Sequence, residues 1–316
     1  MVVSSSRTLS KSDFVLATGC QAKLWFKENG YPDNRESDPY LAMLAYGGYM
    51  VEALANTRYP DSIALDYGSD FRTDCERTLE LLSQDRVTLF QGTLLDGRRL
   101  ARVDIIDKRD GTVRLIEVKA KSFDSAEHTE SISNGGSGVF RQTRNNYLIH
   151  GDWKDKLSDV TFQVLLLEKL LPGVPIVPYL ALVDKSKRAG IDNAPQLFRV
   201  TRKMRKNGTS TIHSAEFTGT PEQAAALDLI TEVCVADEVA LLRDEVAAAI
   251  PIYESILDKD FDRAWGPLTS ECRKCEFKHD DDPQHSGFHY CWQDLASVTP
   301  HVLELYSVGK VNVGGV

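Results

Sequence analysis

The pattern of apolar and polar positions changes period several times along the chain. Residues 10–29 read as a short helix with Ser12 or Asp13 as N-cap. Residues 40–57 (YLAMLAYGGYMVEALANT) read as an apolar helix that tolerates Gly47 and Gly48, and residues 71–83 (FRTDCERTLELLS) as another helix. Then VTLFQGTLL, RRLARVDII and TVRLIEVKA take over, separated by Asp96-Gly97 and Asp110-Gly111. Asp-Gly between β-rich runs is a hairpin signal and predicts an antiparallel meander across 87–120. Residues 122–146 are polar and glycine-bearing, a long loop expected near a site. WKDKLSDVTFQVLLLEKLL (153–171) predicts an amphipathic helix stopped by Pro172-Gly173. IVPYLALVD (176–184) and LFRVTRKM (197–204) read as strands. Residues 212–260 read as a helical segment, strongest over 220–258 and opening at Thr220-Pro221. A Cys- and His-rich tail covers 265–295, and no internal repeat is visible. The expected class is α/β: a mixed sheet with an antiparallel meander, flanked by helices, in one domain over 1–316.

At 316 residues the chain is long enough for a substantial core. It has no apolar run of about 18 residues, which argues against a membrane span. MVVSSSRTLSKSDF lacks a long apolar stretch, so no secretory signal is expected and the cytoplasm is the default location. The net charge of −9 argues mildly against a protein that coats nucleic acid. Charge is uneven, however: residues 185–206 hold eight basic residues and one acid. Arg199, Arg202, Lys203 and Arg205 in that stretch are candidate phosphate contacts; a solvated basic loop and strand is the equal alternative.

The informative stretch is RVDIIDKRDGTVRLIEVKAK (102–121). Alternation along the third β run puts Val113, Leu115, Glu117 and Lys119 on one face. The hairpin can bring Asp104 beside Glu117, so that two carboxylates and an ammonium cluster among aliphatic residues. Oxygen ligands of this kind suit Mg²⁺ or Mn²⁺, which acidify bound water and neutralise charge on a phosphate. A surface salt bridge on an exposed sheet edge gives the same spacing. Its weakness is the aliphatic setting, where an unpaired carboxylate is costly.

Six cysteines occur, at 20, 75, 234, 272, 275 and 291. Disulfides are not expected in the cytosol. Cys272-x-x-Cys275 suggests a metal, and zinc is open because His279, His285 and His289 lie nearby. Cys75 and Cys234 sit in apolar helical contexts and read as core thiols.

Asp104, followed by Glu117-Val118-Lys119 closing the next strand, resembles the PD-(D/E)XK nuclease motif in its RecB-like branch. That resemblance implies a restriction-endonuclease-like fold and metal-dependent hydrolysis of DNA that is single-stranded or has free ends. It implies Asp104 and Glu117 as metal ligands, Lys119 as the residue acting on the attacking water, and Gln163 as a supporting residue in a following Q-x-x-x-Y helix. Leu167 stands where the tyrosine is usual. The family also uses an early helical acid after a glycine. Glu52 in Gly48-Tyr49-Met50-Val51-Glu52 fits as a third metal ligand, with Glu80 as its competitor. One cysteine before the core and three after it resemble the iron–sulfur staple of CRISPR-associated RecB-like exonucleases and the AddB nuclease domain. The implied ligands of a [4Fe–4S] cluster are Cys20, Cys272, Cys275 and Cys291. The fifteen residues between Cys275 and Cys291 exceed the usual spacing. The resemblance covers roughly residues 10–300 and extends to an uncharacterised RecB-like group whose members continue further, so the chain reads as a truncated or compact member. The alternative function is a non-catalytic nucleic-acid-binding module with an iron–sulfur or zinc staple. Protein partners are not legible.

Overall fold

The computed structural model describes residues 7–35, 38–65, 70–204 and 211–305, with the side chains at 203, 204, 211 and 212 outside that description. The one domain expected over 1–316 is two compact units: Met43–Ala248, and a second made of Met1–Ala42 with Ala249–Val316. The reason is a separate core. Ala22 and Phe26 from the first part of the chain pack with Phe277, Phe288, Trp292 and Leu303 from the last part.

In that second unit, β1 (Leu9–Ser10) leads into α1 (Lys11–Gly19) and α2 (Gln21–Glu28). The single helix expected over 10–29 is broken at Cys20, whose φ of −165° and ψ of 119° are extended. Ser10, rather than Ser12 or Asp13, is the N-cap, and Asp13 closes a capping box with it.

The Met43–Ala248 unit carries most of α3 (Pro39–Asn56), then β2 (Ile63–Ala64), α4 (Phe71–Leu82) and the meander β3 (Val87–Asp96), β4 (Arg99–Arg109) and β5 (Thr112–Phe123). The expected second hairpin is present: Arg109 pairs with Thr112 across Asp110 (φ 51°) and Gly111 (φ 75°). Two positive φ angles in succession make a type I′ turn, which is why Asp-Gly stands there. Next come α5 (Ser125–Ser133), the short β6 (Arg141–Gln142) and β7 (Asn145–Ile149), α6 (Gly151–Leu170) and β8 (Ile176–Asp184). The loop expected over 122–146 therefore contains a helix. It went unseen because SAEHTESIS buries no residue and so shows no apolar stripe.

β9 (Phe198–Met204) pairs with β10 (Thr211–Phe217), and α7 (Pro221–Ala226), β11 (Ile230–Cys234) and α8 (Ala236–Ile256) follow. The helical segment expected over 212–260 thus contains two strands. Thr220-Pro221 does open a helix, capped by the Thr220 side chain, but it ends after six residues. The β-branched run ITEVC then pairs with β8, so tertiary pairing overrides the local pattern.

The main sheet runs β11-β8-β5-β4-β3-β2. β5–β8 and β2–β3 are parallel and the other neighbours in this order antiparallel, which makes an α/β mixed sheet. Ile105, Ile116, Val118 and Ala181 fill one face with Leu54, Ala55 and Leu227. On the other face α6 is buried along most of its middle, and there its Asp159 and Gln163 meet the polar residues of β5. Beyond α8, the chain forms a short 3-10 turn at Ser270–Lys274 and the helix α9 (Gly287–Trp292). Among the described residues, no helix is long and apolar enough to cross a membrane.

Candidate functional site

Asp104 on β4 and Glu117 on β5 come together at the point where the two strands part. The last pair of their ladder is Ile105 with Ile116, and beyond it the Asp104 Oδ2 accepts the Val118 amide at 2.8 Å. Glu117 is buried. Its Oε1 accepts from Lys119 Nζ at 2.7 Å, and its Oε2 from Gln163 Nε2 at 2.9 Å. Asp159 completes a ring: Lys119 Nζ donates to its Oδ2 at 2.7 Å and Gln163 Nε2 to its Oδ1 at 2.9 Å. Asp159 and Gln163 are one turn apart on α6 and so share a face.

Burial by itself would lower the pKa of the Lys119 ammonium. Glu117, Asp159 and Asp104 outweigh it and hold the group well above the ordinary lysine range. Lys119 is therefore a standing cation and hydrogen-bond donor at neutral pH.

Glu52 on α3 accepts from Gln91 Nε2 at 2.5 Å. Gln91 has a φ of 58°, a left-handed conformation that is uncommon outside glycine. The pairs on either side, Phe90 with Ile105 and Gly92 with Val103, bracket Asp104, so Gln91 stands at the level of Asp104 on the neighbouring strand. Glu52 thus reaches the site by way of Gln91. Glu80, its competitor, is exposed and paired with Arg77 at 2.6 Å.

Among the described residues, no group of three or more His, Cys, Asp or Glu side chains that could hold a metal ion stands together, either among the carboxylates Glu52, Asp104 and Glu117 or among the cysteines. Lys119 and Gln163 occupy the oxygens of Glu117 instead. The donor chemistry still fits Mg²⁺, which takes one or two carboxylates and fills its shell with water and substrate phosphate. Gln163 Oε1 is buried without a hydrogen-bond partner, a place for a water or another donor.

Sequence reasoning missed Asp159 and Gln91. Asp159 had a signal, four positions before Gln163 on one helix face. Gln91 had none, because its role depends on a backbone conformation. Leu167, at the family's tyrosine position, is fully buried in the core.

In the other unit, Cys20, Cys272, Cys275 and Cys291 line one partly open pocket of about 90 Å³. A single water needs about 10–15 Å³, so the space suits a polyatomic group better than a lone ion. The walls are Ala22, Phe26, Phe288 and Trp292. The Trp292 indole N–H is buried without a hydrogen-bond partner. Gly266 packs so closely that a Cβ there would lie 2.7 Å from Ala22 Cβ and within 3.8 Å of the thiols of Cys291 and Cys20. The Thr269 amide donates to Cys272 Sγ at 3.5 Å. Burial raises the thiol of Cys20, that of Cys275 to about 11 and that of Cys291 to about 12.

No histidine lines this pocket. His279 contacts the Pro32 carbonyl, His285 pairs with Asp282, and His289 bonds Ser286. A set of four thiols suits a [4Fe–4S] cluster and equally a four-cysteine zinc site. Cys75 is buried as expected, with its Sγ accepting the Leu95 amide. Cys234 is not a core thiol: it ends β11 and is exposed.

The basic stretch is split by the pleat of β9. Arg202 lies across from His213 and Arg199 across from Glu216, on opposite faces of the β9–β10 ribbon. Lys203 lies on β9, with its side chain outside the description, and Arg205 lies outside the described residues.

No protein-family model matches the chain, and no curated protein or solved structure matches it.

Proposed function

We propose that the protein is a divalent-metal-dependent nuclease of the PD-(D/E)XK type, RecB-like branch, hydrolysing phosphodiester bonds of DNA that is single-stranded or has a free end. One observation carries the reading: Asp104, Glu117 and Lys119 converge from adjacent strands with Gln163 from the crossover helix. Asp104 and Glu117 would hold the metal, with Glu52 brought up through Gln91. Mg²⁺ or Mn²⁺ supplies an acidified water and charge neutralisation at the phosphate.

The residues of the chain do the rest. Lys119, kept protonated by its carboxylate neighbours, donates to oxygen and stabilises negative charge; it does not take a proton. Asp159 aims that ammonium, and Gln163 orients Glu117. The thiols of Cys20, Cys272, Cys275 and Cys291 would hold a [4Fe–4S] cluster that ties the two ends of the chain together.

The second reading is a non-catalytic nucleic-acid-binding module, favoured by the engagement of both Glu117 oxygens by Lys119 and Gln163. Incubating the anaerobically purified protein with labelled single-stranded and duplex DNA separates the two. Cleavage that needs Mg²⁺ or Mn²⁺ and stops with chelator supports the nuclease. Metal-indifferent binding without cleavage supports the module.

A further inference from the structure

The helix that carries Glu52 also carries Tyr46 and Tyr49 at intervals of three, so each is a neighbour of the next on the helix surface. Tyr49 lies parallel to His213 of β10, with an interplanar angle of 7° and centroids 6.0 Å apart, and Tyr46 stands 6.0 Å from the same ring. Tyr46 is 42% exposed, as are its apolar neighbours Met43 and Leu44 at 58% and 49%. An apolar helix face left this open calls for a partner. Arg202, exposed, is the cross-strand neighbour of His213. A cation, three aromatic rings and the candidate metal ligand thus follow one another along a single track.

We infer that this track is a stacking platform for single-stranded DNA leading toward Asp104 and Glu117, an inference that rests on the nuclease reading. Bases exposed in a single strand stack on aromatic rings whatever their identity, and phosphates pair with cations alongside. Duplex DNA keeps its bases stacked on one another and offers the rings nothing. The charge beside the rings is that of Arg202, a cation that a phosphate of the same strand would meet and that an apolar protein partner would not.

The test is binding of a fluorescent oligothymidine by the full-length holoprotein in chelator, where no cleavage occurs. Tyr49→Ala should weaken binding about 5- to 100-fold, Tyr49→Phe should restore it, and an oligonucleotide of abasic residues should bind wild type and Tyr49→Ala alike. Arg202→Ala should reduce the salt dependence by about one counterion. Wild-type affinity in Tyr49→Ala, with metal-dependent cleavage intact, overturns the platform and leaves the nuclease reading standing. Failure of wild type both to bind and to cleave overturns the two together. Stronger binding of the matching RNA than of DNA overturns the assignment to DNA.

Discussion

Lys119 and Asp159 stand 2.7 Å apart, joined across forty positions of sequence, while the same ammonium bonds Glu117 two residues away. The lysine is therefore fixed from two elements, its own strand and the crossover helix. Replacing Asp159 by alanine removes one carboxylate and leaves Gln163 with one fewer acceptor. One-sided removal from a buried pair costs about 3–5 kcal/mol. The Lys119 side chain is 27% exposed, which favours the lower end of that range. Asp159→Asn keeps the shape and an acceptor and should cost less, yet cleavage should still fall because the ammonium is less firmly aimed. Urea midpoints and single-turnover rates check both. A wild-type midpoint and rate in Asp159→Ala would make the contact incidental.

The cysteine pocket predicts a steric result. Gly266→Ala places a methyl 2.7 Å from Ala22 Cβ, where neither side can yield by rotation. Overpacking of this kind costs about 1–3 kcal/mol, and the cradle for Cys20 and Cys291 should be displaced. Iron and sulfide content should fall in Gly266→Ala and in Cys275→Ser alike. Full iron content in both variants would remove the cluster assignment.

The same thiols set a pH dependence in the cluster-free protein. Cys275 and Cys291 are raised from 9.0 to about 11 and about 12, chiefly by burial. The folded protein thus keeps protons that the unfolded chain loses above pH 9. Stability contributed by these groups is present below about pH 9 and lost as pH rises toward 11 and 12. At pH 8 only about one Cys275 in a thousand is a thiolate, so alkylation should reach the exposed Cys234 first and Cys275 and Cys291 last. Mass mapping after timed alkylation reads the order, and early modification of Cys291 would contradict the burial of that thiol.

Much of this geometry was legible because it depends on period. Alternation placed Glu117 and Lys119 on one face, Asp-Gly fixed the hairpin at 110–111, and the apolar run at 153–171 gave the crossover helix. What was not legible depends on contacts distant in sequence. The strand Ile230–Cys234 exists because β8 offers it an edge, whereas the break at Cys20 had a local signal in Gly19 that a single-helix reading passes over. Gln91 escapes notice because nothing in VTLFQGTLL announces a positive φ at a glutamine. Asp159 was hidden within a helix read for its apolar face.

The protonation of Lys119 has a kinetic consequence. With its pKa raised, the ammonium should not titrate near neutrality. The pH–rate profile should therefore lack a falling limb from lysine deprotonation between about pH 7 and 9. A falling limb there would show the ammonium being lost near neutrality, and a rising limb absent from Lys119→Arg would make Lys119 the base; either would contradict its role as a standing donor.

The central claim is that Glu117 binds metal and Lys119 acts on charge, and one paired measurement separates these roles: metal affinity by calorimetry beside single-turnover cleavage for wild type, Glu117→Gln and Lys119→Ala. Glu117→Gln should lose metal affinity and cleavage together. Lys119→Ala should bind metal as well as wild type or better, because removing a cation frees Glu117 Oε1 and lifts a repulsion, yet cleave about 10²–10³-fold more slowly. Wild-type cleavage in Lys119→Ala, or metal affinity unchanged in Glu117→Gln, would reduce the ring of Glu117, Lys119, Asp159 and Gln163 to a structural ion pair and contradict the account.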